Sequence, residues 1–264
     1  MIAGVAREDS YRDAARSIWV AWTTEHPLPE ISQEARPADV EQGYAIQREL
    51  DELAGAPAGW KIAATSEAGQ AHIGADGPLI GRLYEFQRQR SGSTLSAQAM
   101  RMRSVEPEFA FIFGESLEAG SAQLSSDDVL GAVASLVLAI EVPDSRFVDF
   151  GSVGIASLVA DAMCGGHFLL GPQIADWRRL DLAAQEARLL VGGEERSAGR
   201  GANVMGDPRD ALVWMANKVT DHGWSLNAGD VVLTGAAAPP LPIVPGDAVL
   251  AEFDGLGNVE VAFS

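Results

Sequence analysis

The chain has 264 residues, 47% of them hydrophobic, enough to fill the core of one large domain or two modest ones. Its 37 acidic residues outnumber 19 basic ones, for a formal net charge of −18, and no Lys/Arg cluster is present to track a phosphate backbone. Nucleic acid and anionic membranes are therefore poor partners, while a single cysteine, Cys164, excludes an intrachain disulfide and any multi-cysteine metal site and fits a reducing cytoplasm.

The first twenty residues carry Arg7, Glu8, Asp9, Arg12, Asp13 and Arg16, so no secretory signal is expected. Helical spacing of apolar positions predicts helices over 9–24 and 37–54, the second marked by Val40, Tyr44, Gln47 and Leu50, with Pro37 suited to its first turn. From residue 60 onward, short apolar runs alternate with Gly-rich turns: "GWKIAA", "EFAFIFG", "LVLAIEV", "HFLLG", "RLLVGG", "DVVLTG", "DAVLAEF" and "VEVAFS". These predict strands. The run "VLGAVASLVLAI" at 129–140 is too short to span a bilayer. Two helices interrupt the strands, one after the N-cap cluster Ser125–Ser126–Asp127–Asp128, the other after Asp207–Pro208 and stopping near Gly223. The tail "AVLAEFDGLGNVEVAFS" reads as a terminal hairpin. The expected architecture is α+β, with a helical N-terminal region (1–59) packed on a β-rich body of mixed sheet (60–264).

Within "SVEPEFAFIFG", at 104–114, Glu106 and Glu108 are two residues apart and share one face of a strand. Like charges so close raise one pKa and cost stability unless something positive lies between them, and a divalent cation would serve. An exposed strand face is the alternative. Glu141 closes the buried-looking run "SLVLAIE" and is followed by Pro143, Asp144, Ser145 and Arg146. Together the three carboxylates would form an oxygen-only site suited to Mg²⁺, Mn²⁺ or Ca²⁺; equally, Glu141 could pair with Arg146. Lys61, after Trp60 in an apolar segment, could be a desolvated acid or base with a lowered pKa, a fixed positive charge for a substrate carboxylate, or a counter-charge to the glutamates. The four histidines show no metal-ligand spacing.

Seven segments stand in a familiar order: "GWKIAATS" (59–66), "GPLIGRL" (77–83), "VEPEFAF" (105–111), "AIEVPDSRF" (139–147), "GDPRDALVWMANKV" (206–219), "LNAGDVVLTG" (226–235) and "VPGDAVLAEFDGLGNVEVAF" (244–263). From about residue 37 to its end the chain resembles the 2-keto-4-pentenoate hydratase and 4-oxalocrotonate decarboxylase family of the fumarylacetoacetate hydrolase superfamily. The resemblance implies that superfamily's C-terminal-domain fold, and Mg²⁺ or Mn²⁺ held by Glu106, Glu108 and Glu141. It also implies 2-oxo or 2-hydroxydienoic acid substrates, Lys61 and Asp76 as the groups that move protons, and substrate contacts from Lys61, His72, Cys164 and Thr234. Residues 65–78, polar and Gly-rich, would form a mobile lid.

Two segments depart from the family pattern. Where many relatives have Asp-Asn-Ala-Ser, this chain has Asp161, Ala162, Met163 and Cys164; the usual Leu-Thr-Gly-Ser ends here in Thr234, Gly235 and Ala236. An amide and two hydroxyls are thereby lost. Cys164 reads as a small buried residue rather than a nucleophile. The implied activity is a cytoplasmic lyase that adds water to a 2-hydroxy-2,4-dienoate in the catabolism of aromatic or related carbon sources, as a homo-oligomer and possibly in complex with a pathway enzyme. The alternatives are a 4-oxalocrotonate decarboxylase, a carbon–carbon hydrolase or tautomerase on the same metal, and a non-catalytic partner subunit.

Overall fold

The computed structural model describes residues 2–120, 122–174 and 176–264. Two helices, α1 (Ile2–Thr24) and α2 (Val40–Ala54), precede strand β1 (Pro57–Ala63), helix α3 (Glu67–Ile73) and strands β2 (Leu79–Tyr84), β3 (Arg88–Arg90) and β4 (Ser93–Leu95). A long strand, β5 (Ser104–Phe113), leads through α4 (Ser126–Ala132) into β6 (Val133–Val142), α5 (Ile155–Ala160) and β7 (His167–Ile174). After β8 (Glu186–Val191) and β9 (Glu194–Arg200) come α6 (Pro208–Asp221), β10 (Val231–Ala236), the short β11 (Leu241–Pro242), β12 (Ala248–Phe253) and β13 (Gly257–Phe263). Among the described residues no helix is long and apolar enough to cross a membrane.

Local chemistry sets most of these boundaries. Asp39, extended at φ −149°, accepts from the Gln42 N–H and caps α2. The helix therefore starts at Val40 and leaves Pro37 outside its first turn, three residues short of the expectation. Ser125 and Asp128 form a reciprocal capping box on α4, while Asp207 followed by Pro208 starts α6. The stretch expected to be a loose lid holds α3, capped by Ser66 and stopped by Gly74 in the left-handed region at φ 68°. The helical region ends at Ala54 and β1 opens at Pro57, slightly ahead of residue 60.

The larger sheet runs in the order β2-β1-β10-β5-β6-β7-β3, with β11 added beside β5. Pairs β1–β10 and β3–β7 are parallel and the remaining neighbours antiparallel, so the sheet is mixed. Its two end strands, β2 and β3, are joined by only Glu85–Gln87. A flat sheet would hold those ends roughly 29 Å apart, whereas the link reaches about 14 Å at most. The sheet is therefore rolled. Its outer face carries Trp60, Phe109, Phe111, Leu138 and Leu169, packed in the main core with α6 and a second sheet of order β4-β13-β12-β8-β9. Its inner face is lined by small or medium side chains, Ala58, Ala110, Val137, Ala139, Val231 and Leu233, joined by Leu83 and Phe168. The expected terminal hairpin is β12–β13, turning at 254–256.

The N-terminal helices dock on this roll through Ala15, Ile18, Ile46 and Leu50, which pack with Tyr84, Phe147 and Ala160. Gln47 is fully buried and bridges three elements: its Nε2 donates to Val159 O at 2.7 Å and its Oε1 accepts from Arg82 N–H at 3.0 Å. Gln47→Leu would leave both backbone groups dry and unpaired, a cost of about 1–3 kcal/mol for each. A fall in the thermal midpoint of several degrees is expected, measured by calorimetry; an unchanged midpoint would show that the bridge is dispensable.

Candidate metal and catalytic site

The register between β5 and β6 sets Glu106 directly opposite Glu141. Glu108 lies two residues along β5 and so shares their face, the inner one, because side chains alternate along a strand. One oxygen from each of the three carboxylates lies within 4.8 Å of the others. Glu108 and Glu141 are buried and Glu106 is partly exposed, which places the cluster at a mouth of the roll. Lys61, on β1, faces the same interior and brings its Nζ to 2.7 Å from Glu141 Oε1.

Glu108 is held from a second side. A register shift in β10 between Leu233 and Ala236 turns Gly235 to φ 107°, and its N–H donates to Glu108 Oε2 at 2.7 Å. A Cβ there would come within 2.4 Å of Thr65 Oγ1, so conformation and space both require glycine. The neighbouring Thr234 is buried and donates its hydroxyl proton to Phe109 O at 2.8 Å.

The electrostatics of the cluster are unbalanced. Three carboxylates against one ammonium leave two negative charges in a largely dry place. Burial, then the charge of Glu141, pushes Glu106 up to about 7, with Lys61 opposing. Glu108 is pushed well above the ordinary carboxylate range by burial, Glu141 and Glu106, against Lys61 and the Gly235 N–H. Burial alone would lower Lys61, but Glu141, Glu106 and Glu108 outweigh it and hold the ammonium above its ordinary value. Of the three readings left open for Lys61, the upward shift runs against a lowered pKa and agrees with a counter-charge to the glutamates. Glu108 Oε1 and Glu141 Oε2 are buried without a hydrogen-bond donor. Two buried acceptor oxygens and a deficit of two positive charges fit a hard dication with an oxygen donor set.

Beside the cluster the backbone takes an unusual path. Ala162, Met163 and Cys164, all buried, lie consecutively in the left-handed region at φ 46°, 51° and 58°. For residues with a Cβ this costs about 1–2 kcal/mol each. The turn presents Met163 O to Lys61 Nζ at 3.2 Å and Cys164 O to the Asp144 N–H at 2.9 Å. Gly81 of β2 lies beneath it, where a Cβ would come within 2.2 Å of Ala162 O. Arg146 fastens both ends: Nη2 donates to Asp161 O and Nη1 to Gly165 O, each at 2.6 Å, while Nε donates to the Asp161 carboxylate. Asp161 also accepts from Ser145 Oγ at 2.9 Å and the Arg146 N–H at 3.1 Å. Burial pushes Asp161 up, but Arg146 pulls the other way, so the two form a buried ion pair with every charged lobe engaged.

The alternative pairing of Glu141 with Arg146 is not what forms. Arg146 takes Asp161, and Glu141 takes Lys61. Cys164 is buried and its thiol is pushed up to about 12 by burial and by Asp161, as an inert small residue should be. His72, in the last turn of α3, and Asp76, in the turn before β2, are both exposed, and none of the polar contacts that build the cluster reaches either. The sequence reading missed the Gly235 N–H, the Met163 carbonyl and the Asp161–Arg146 clasp. Only the clasp had a visible signal, a lone Asp and a lone Arg in segments otherwise ready for burial.

The fumarylacetoacetate hydrolase C-terminal family model matches residues 70–264. The 2-keto-4-pentenoate hydratase of Paraburkholderia xenovorans (strain LB400) is 31% identical over 255 residues, covering 95% of this chain and 94% of its own. The 4-oxalocrotonate decarboxylase of Pseudomonas sp. (strain CF600) is 26% identical, covering 90% of each. Among solved structures, a 4-oxalocrotonate decarboxylase from Pseudomonas putida G7, complexed with magnesium and adipate, superposes with a TM-score of 0.88 at 25% identity, covering 97% of this chain and 98% of that one. A second structure of that enzyme, complexed with calcium and acetate, gives 0.86. The expected fold and the expected relatives coincide, and the chain belongs to the fumarylacetoacetate hydrolase C-terminal family.

Proposed function

We propose that this chain is a Mg²⁺-dependent lyase that ketonises a 2-hydroxy-2,4-dienoate and adds water to give a 4-hydroxy-2-oxo acid, with Mn²⁺ as an alternative ion. The observation that carries the reading is the cluster of Glu106, Glu108 and Glu141 beside Lys61, two positive charges short of neutrality, in a chain whose relatives are named for this hydration. When bound, the dication supplies Lewis-acid stabilisation of negative charge developing on the substrate's C2 oxygen. The chain's own residues do the rest. The three glutamates hold the ion, the Gly235 N–H fixes one of them, and Lys61 presents a proton-bearing Nζ at the inner face. Asp76 and His72, on the exposed α3–β2 segment, reach substrate only if that segment folds over it, which would also exclude bulk water.

A decarboxylase is the second reading, favoured by the solved structure with TM-score 0.88. Its substrate brings a further carboxylate, and that needs a cation. Lys61 is already paired with Glu141 and Arg146 with Asp161, so the monocarboxylate fits this chain better. A cytoplasmic location, supported by the solitary buried Cys164, and a homo-oligomeric state belong to the same proposal.

Glu108→Gln and Glu106→Gln should each lower Mg²⁺-dependent turnover of 2-hydroxypenta-2,4-dienoate by about a hundredfold or more, read from the loss of dienol absorbance. Chelation should do the same to the parent chain, reversibly. Turnover unaffected by both substitutions would remove the mechanism. Lys61→Met should abolish turnover yet tighten Mg²⁺ uptake by calorimetry, because a competing positive charge is removed; weaker uptake would contradict the charge count.

The metal-free protein should also respond to pH with a definite sign. Glu106 in the folded chain holds its proton to about 7, above its ordinary 4.5, so between those values the folded state binds protons that the unfolded chain has released. Its contribution is full below about 4.5 and is lost as pH rises toward 7. The rise in thermal midpoint on adding Mg²⁺ should therefore be larger at neutral pH than at mildly acidic pH; an equal rise at both would contradict the burial of these charges.

A further inference from the structure

Among the described residues Arg146 pairs with Asp161 and with none of the three glutamates, and its guanidinium closes the turn whose Met163 carbonyl contacts Lys61. It lies five residues after Glu141, and its fork spans the turn from Asp161 O to Gly165 O. Between those anchors the chain passes through three left-handed residues, none of them glycine, and the middle one turns its carbonyl onto Lys61 Nζ. Nothing intrinsic to Ala-Met-Cys favours such a path; asparagine or glycine would adopt it more readily. An external clasp must hold it. Trp22 of α1 covers that clasp, its ring 3.9 Å from the Arg146 guanidinium carbon.

We propose that Arg146 and Asp161 are positioning residues, which force the 162–164 turn into its left-handed course so that the Met163 carbonyl and Glu141 together fix the direction of the Lys61 ammonium. The assignment rests on the reading of Lys61 as a working part of the site. Lys61 has three N–H donors: one faces Glu141 Oε1, one faces Met163 O, and the third is thereby aimed.

The sequence offers an unusually direct probe, because Lys61 and Lys218 are the only lysines in the chain. In protein labelled with ¹⁵N at the lysine side chains, the buried Lys61 ammonium should give a resonance distinct from that of Lys218, assigned with Lys218→Arg. In Arg146→Gln, and separately in Asp161→Asn, the Lys61 resonance should shift or broaden while that of Lys218 stays in place, and adding Ala162→Gly to Arg146→Gln should return it part of the way, since glycine takes the left-handed φ with less need of a clasp. Mg²⁺ affinity by calorimetry should be unchanged, and kcat should fall about tenfold or more with KM little altered. Asp161→Asn removes the charge of the clasp while keeping the side chain's size, and it carries the test if Arg146→Gln does not fold. An unmoved Lys61 resonance in the folded variants overturns the proposal. A moved resonance with turnover intact upholds the positioning and removes Lys61 from the chemistry, which separates failure of the functional reading from failure of this one.

Discussion

Like-charge crowding at the inner face of the rolled sheet is the constraint around which this molecule is arranged. Three carboxylates converge within 4.8 Å, two of them buried, with one ammonium for company. In water such a cluster would disperse. Here two paired strands fix it, because opposite register positions on β5 and β6 leave Glu106 and Glu141 no way apart short of slipping the register of a sheet buried on both faces. The cluster is a preorganised deficit of positive charge, maintained by the hydrophobic packing of the strands that carry it.

The supporting parts divide by face. Outward, the strands carry large side chains that lock into the second sheet and α6. Inward, small ones leave room at the mouth where polar groups collect. Each polar group has a fixed partner of its own: Glu108 the Gly235 N–H, Lys61 the Met163 carbonyl, Asp161 the Arg146 fork. The metal-ligand candidates and Lys61 lie on strands, whereas His72 and Asp76, on α3 and the turn after it, are exposed. Such a division suits a site that must admit an organic acid while keeping its metal ligands still.

Much of this was written in the residues. Alternation and Gly-rich punctuation located the central strands, the caps at Asp207 and Ser125 located two helices, and the two-residue spacing of Glu106 and Glu108 foretold their common face. Other features escaped for physical reasons. Strand β9, "EERSAGR", is a polar edge with no buried face to impose a pattern, and β3 and β4 are three residues each, below the length at which alternation can be read. Partner choice at Glu141 stayed open in the sequence, because local spacing offered Arg146 while Lys61, a possible counter-charge, lay eighty residues upstream, and topology decides for Lys61. The left-handed turn was invisible because Ala, Met and Cys do not advertise it.

Strand β10 has an importance out of proportion to its six residues. It belongs to the last seventh of the chain, yet it lies between β1 and β5 and carries the glycine that grips Glu108. During synthesis, then, the segment bearing Lys61 and the segment bearing the first two glutamates emerge early and have no common sheet to join until residue 236 has left the ribosome. A nascent chain lacking that strand can pair β5 with β6 but cannot bring Lys61 and the Gly235 N–H to the three glutamates, so the counter-charge reaches the carboxylates only after residue 236 is made.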